Sequence, residues 1–140
     1  MPETSATGAI PGVDPDGRDG AILRALERKV LWLATWMIHE ANHVRPRRDG
    51  LKVGGHQASC ASAASLLTAL YFRALRPEDR VAVKPHAGPV FHAIQYLLGN
   101  QSREQLATFR GLGGVQAYPS APRTATRSIS PPGRSAWAWR

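Results

Sequence analysis

Lys52-Val53-Gly54-Gly55-His56-Gln57-Ala58-Ser59-Cys60 and Val81-Ala82-Val83-Lys84-Pro85-His86-Ala87-Gly88-Pro89 are the two stretches that decide how this chain reads. Each sets a histidine in a loop broken by glycine or proline, just ahead of a helical pattern. The second loop also follows a short valine-rich run, Val81–Val83, which reads as a strand buried on both faces. In α/β folds, loops between strand ends and helix starts hold anionic ligands, because free N–H groups and the helix dipole converge there. Imidazole adds a group that exchanges a proton near neutral pH. Two such loops, about 30 residues apart, point to one site built from both.

The helical patterns lie around these loops. From Asp19 to Val44, the residues Ile22, Leu26, Val30, Leu33, Met37 and Ala41 recur at steps of three and four and make one apolar stripe. Asp19 suits the N-cap, and Pro46 stops the helix. Trp32 and Trp36 fall one turn apart on a neighbouring face, fit to widen the core contact or to meet another subunit. A second helix runs from Ala58 to Leu75. Its first half is rich in Ala and Ser, so another backbone can approach closely, and Leu66, Leu67, Leu70, Tyr71 and Leu75 make a bulky second half. Arg76-Pro77-Glu78-Asp79 reads as a turn. Pro89 opens a third helix over Val90–Leu98, which Gly99-Asn100 ends. Ser102 and Gln105 form a capping box for a short fourth helix ending near Arg110. One strand among four helices reads as the opening of an α/β domain.

Composition narrows the function classes. The chain has 140 residues, 43% of them apolar, and a formal charge of +8. That suits one domain, or part of a larger one. Of the excess, +4 lies in the last 20 residues, which hold Arg123, Arg127, Arg134 and Arg140 and no acid. Aromatics do not alternate with basic residues along the sequence, so no nucleic-acid partner is expected. A single cysteine, Cys60, excludes an internal disulfide and fits a reducing compartment. No membrane span or export signal is read, so a cytoplasmic location is expected.

His39-Glu40-Ala41-Asn42-His43 matches H-E-x-x-H, in which two histidines one turn apart bind zinc and the glutamate activates water. A third ligand is then required. The extended motif would place glycine and histidine where Pro46 and Asp49 stand, and the next glutamate after Glu40 is Glu78. A polar helix end, with cations favoured at a C-terminus, explains the same residues, so no metal ligands are assigned. Cys60 has no charged sequence neighbour to activate it and reads as a small buried side chain. His92, on the third helix, reads as a structural histidine. Asp14, Asp16 and Asp19 lack the spacing of a calcium loop.

Gly54-Gly55-His56-Gln57-Ala58-Ser59, followed by a small-residue helix running into Leu70-Tyr71-Phe72, resembles the N-terminal region of thiamine-diphosphate enzymes of the transketolase and homodimeric pyruvate dehydrogenase first-component family. Lys84-Pro85-His86-Ala87-Gly88-Pro89 resembles that family's next loop. Gln105-Leu106-Ala107-Thr108-Phe109-Arg110 and Gly113-Gly114-Val115-Gln116-Ala117-Tyr118-Pro119 resemble the segments after it. The likeness spans residues 22–120, in order. It implies an α/β class: a partial thiamine-diphosphate-binding fold, helix-rich, with one or few parallel strands. It also implies that His56 and His86 line the catalytic funnel, touching cofactor phosphate or substrate oxygens and assisting proton transfer, with Ser59 near the cofactor. In the whole family member, thiamine diphosphate and Mg2+ serve a two-carbon cleavage or transfer on a 2-oxo acid or ketose phosphate, in a homodimer. Lys84 stands where the family more often has glutamine or asparagine.

The family's G-D-G magnesium motif and its activating glutamate have no counterpart here, so the chain alone is expected to be inactive, and its binding of thiamine diphosphate or Mg2+ is left open. Three segments are expected: 1–18 disordered, 19–120 the partial cofactor domain, and 121–140 a basic, disordered tail. Read from the third base of each codon, Arg123–Arg140 permits D-R-D-A-I-D-F-S-T-G-S-V-G-L-G-V-A, close to the family's continuation. The Trp137 codon, with Ala138, forces the last glycine of that string. The tail is therefore read as out-of-frame translation. A small helical interaction module, using the Trp32/Trp36 face and the tail, is the alternative from another class.

Overall fold

The computed structural model describes residues 17–46, 50, 52–53, 57–76, 79 and 81–116. The expectations placed on 1–16, on Gly54-Gly55-His56 and on the tail lie outside them.

Helix α1 covers Arg18–His39 and runs into a π-helical turn, Glu40–Val44. Gly17, with φ 67°, takes the N-cap position instead of Asp19. Asp19 sits in the first turn, where a carboxylate favours the helix dipole, and it pairs with Arg73 at 2.8 Å. Helix α2 covers Gln57–Ala69 and also widens at its end, over Leu70–Ala74. Both wide turns close by an i→i+5 bond of 2.9 Å, Arg45 N–H to Glu40 and Leu75 N–H to Leu70. A single 3₁₀ turn, Pro85–Ala87, leads into α3, Gly88–Leu97, and α4 is Arg103–Ala107. Gly99 (φ 79°) ends α3, and Ser102 with Gln105 closes the expected capping box on α4.

Helix α3 is the centre. Every residue from Gly88 to Gln95 is buried, the polar His92 and Gln95 among them. Helices α1 and α2 pack on α3 and on each other, and α4 packs beside it. The core joins Val30, Leu33 and Met37 of α1, Cys60, Ala64 and Leu67 of α2, and Val90, Ala93 and Ile94 of α3, with Leu106, Phe109 and Val115 closing one side. Small residues at Ala34, Ala64 and Ala93, all buried, let these helices approach closely.

Two sequence expectations change. The stripe on α1 reaches the core only from Val30 onward: Leu26 is half-buried and Ile22 is exposed, because α1 is longer than the surface it covers. Val81–Val83 is extended chain without a ladder partner among the described residues, and it is not buried on both faces. Val83 packs against the core while Ala82 faces outward. A strand exists only where a neighbour takes its N–H and C=O groups, and the described residues contain no strand. They form a helix-rich unit.

Candidate functional site

The first turn of α2 and the turn at 85–87 meet. The Cys60 thiol donates to the backbone carbonyl of His86 at 3.0 Å, bridging 26 residues of sequence. Helices α2 and α3 therefore begin near one another, and Ser59 and His86, both exposed, lie at this same end of the molecule. Local sequence sets the geometry. Pro85 and Pro89 pre-set φ for a tight turn followed directly by a helix, and the Ala87 N–H closes that turn on Lys84 at 2.9 Å.

The flank of the other loop is fixed by a residue that the motif reading passed over. Asn42 accepts from the Val53 N–H at 2.7 Å and donates to the Val53 carbonyl at 3.1 Å. Its amide thus imitates a strand partner and pins the chain one residue before Gly54. His56 itself lies outside the described residues, but residues on both sides of it are anchored: Val53 on the π-helical turn after α1, and Cys60 on the 85–87 turn. An asparagine is the side chain whose amide presents the same donor–acceptor pair as a peptide group, and that is the only sequence signal for its role.

Cys60 has the structural part expected of it. It is buried, and burial pushes its thiol pKa up, partly offset by the Val90 N–H. A thiol so held is a poor nucleophile. His92 is also structural. Its Nε2–H donates to the Gln116 carbonyl at 2.8 Å, and its Nδ1 accepts from the Gln101 amide at 3.1 Å. The carbonyl can only accept, which fixes the neutral tautomer, and burial lowers the ring's pKa.

The meeting of the two helix starts brings the Ser59 hydroxyl and the His86 imidazole to one end of the molecule, side chains suited to phosphate oxygens; the first N–H groups of α3 are already taken up within the fold. The two side chains do not suit a hard divalent cation, which needs carboxylates. No group of three or more His, Cys, Asp or Glu side chains among the described residues could hold a metal ion. No described helix is long and apolar enough to cross a membrane.

The chain is similar to short stretches of known enzymes. It is 31% identical over 112 residues to the pyruvate dehydrogenase E1 component of Mycobacterium tuberculosis, covering 72% of this chain and 12% of that protein. Against the same component of Corynebacterium glutamicum it is 28% identical over 132 residues, covering 85% of this chain and 14% of that protein. Against that of Haemophilus influenzae it is 30% identical over 110 residues, covering 72% and 12%. The chain resembles a fragment of pyruvate dehydrogenase E1. It spans about an eighth of the length of the relatives it matches. No family model matches it, and no solved structure matches with significance.

Proposed function

We propose that this chain is a partial thiamine-diphosphate-binding segment, derived from the N-terminal region of a pyruvate dehydrogenase or transketolase-like enzyme. The observation that supports this is the Cys60–His86 bond, which holds the first turn of α2 against the turn at 85–87. His86 and His56 would donate to anionic oxygens of the cofactor or of a 2-oxo acid or ketose phosphate, and Ser59 would lie beside the cofactor. The cofactor, when bound in the whole enzyme, supplies an electron sink for two-carbon chemistry next to a carbonyl.

We assign this chain only the donor part of such a site. The carboxylates that Mg2+ requires are not grouped among the described residues, so no catalytic step is assigned to this chain alone. In the whole enzyme, Val81–Val83 would find its ladder partners in a parallel sheet and the protein would be a cytoplasmic homodimer. Residues 121–140 are proposed to be an out-of-frame tail without selected function. Sequencing the source DNA tests that: third bases incompatible with the alternative frame would refute it.

The purified chain is expected to turn over neither pyruvate nor a ketose phosphate when thiamine diphosphate and Mg2+ are supplied. It is expected to bind thiamine diphosphate measurably in calorimetry, more weakly after His86→Ala or His56→Ala. Measurable turnover would overturn the claim of inactivity. A folded chain that gives no binding heat would overturn the half-site.

One observation supports the interaction-module alternative. Trp32 is 60% exposed and lies parallel to Trp36 at 6.4 Å between ring centres, with Lys29 and Arg103 over the two rings. Pull-down with a Trp32→Ala variant separates this from the cofactor reading, since Trp32 is not among the residues assigned to the cofactor.

A further inference from the structure

The H-E-x-x-H stretch is used by neither reading, yet its two histidines stand together. His39 is the last residue of α1, and His43 lies in the π-helical turn that follows. Both are exposed, and their rings lie 4.8 Å apart, centre to centre, tilted by 33°. Two imidazoles bound to one metal ion at about 2.0–2.1 Å, with an N–metal–N angle between a right angle and tetrahedral, hold their ring centres roughly 4.5–5.2 Å apart. The observed separation falls inside that window.

The backbone here is well held. Asn42, between the two histidines, is bonded twice to Val53, and Arg45 reaches the Phe109 carbonyl at 3.0 Å. Little conformational freedom is lost when the two rings share an ion, which favours chelation over two independent ligands.

From this geometry we infer that His39 and His43 form a two-imidazole chelate for a divalent transition-metal ion of the kind that favours nitrogen ligands, with Cu2+ and Zn2+ as its representatives. Imidazole suits these ions, and a pair of neutral nitrogens does not suit Mg2+ or Ca2+. Water fills the remaining positions. The site is a binding site and not a protease centre, because no third protein ligand stands with the pair among the described residues.

The test is calorimetric titration of the full chain with Zn2+, Cu2+ and Mg2+ separately. One ion is expected to bind per chain, Cu2+ more tightly than Zn2+, with no heat from Mg2+. His39→Gln and His43→Gln should each weaken Zn2+ binding at least tenfold. Both side chains are exposed, so far-ultraviolet circular dichroism should confirm an unchanged fold. The chain has five histidines, so His56→Gln and His86→Gln are measured as well and should leave the Zn2+ affinity within twofold. Absence of Zn2+ binding, or loss of binding on changing His56 or His86 while His39→Gln binds normally, would overturn the inference. The first outcome would mean the rings only stack, and the second would move the metal to the loops that carry His56 and His86.

Discussion

His92 is enclosed by Phe91 and Phe109 in edge-to-face contact at 5.4 and 5.8 Å, and both its nitrogens are bonded. Burial holds its pKa below the ordinary value. The unfolded chain therefore binds a proton that the folded chain resists. The stability tied to this ring is full above the ordinary imidazole value, about 6.5, and is lost as pH falls through the lowered folded value. Thermal melting between pH 7.5 and 5.5 should show the midpoint dropping as pH falls. His92→Gln should flatten that dependence even if it lowers the midpoint throughout. Thr68 makes the opposite kind of prediction. Its hydroxyl is buried and has no hydrogen-bond partner among the described residues. Thr68→Val keeps the shape and removes the unsatisfied group, so it should raise stability by about 1 kcal/mol in chemical denaturation. A loss of stability would mean the hydroxyl has a partner. That His92 would be structural and Cys60 buried was legible in sequence, since neither has a charged neighbour there. The role of Asn42 was not legible, because its partner, Val53, is met only after the chain has turned.

At the scale of elements, the segment after α4 shows why glycine recurs there. Arg110 takes φ 55°, and its N–H bonds to the Val115 carbonyl at 2.7 Å, folding 110–115 into a tight loop. A Cβ on Gly114 would lie 1.9 Å from the Thr108 carbonyl oxygen, which is backbone and has no room to give. Gly114→Ala should therefore cost about 1–3 kcal/mol, the range for overpacking. It should also loosen Gln116, whose carbonyl holds His92, and so blunt the pH dependence described above. Unchanged melting would contradict this account of the loop. Helix positions, the Pro89 start, the Gly99 stop and the Ser102 capping box were all readable, because each depends on residues within one turn. The π-helical ends of α1 and α2 were not, because periodicity does not distinguish a last turn closed at i→i+4 from one closed at i→i+5. Val81–Val83 was read as a buried strand because short β-branched runs carry no information about whether a ladder partner is present.

At the scale of the whole molecule, an ordered core coexists with the proposed half-site at the starts of α2 and α3. The core is built from α1 to α4 and the loop to Val115, with Val53 and Val83 packed against it. Among the described residues there is no strand and no group of three or more His, Cys, Asp or Glu side chains placed to hold a metal ion. The sequence made the two loops recognisable, while their meeting depends on a thiol-to-carbonyl bond across 26 residues, which no local pattern announces. The most direct measurement is amide chemical-shift mapping by NMR on the labelled full chain, titrated with thiamine diphosphate and Mg2+. The account expects the largest shifts at Gln57–Cys60 and His86–Val90, together, along one binding curve. Shifts confined to the outer face of α1 around Trp32, or none at all from a folded chain, would contradict it.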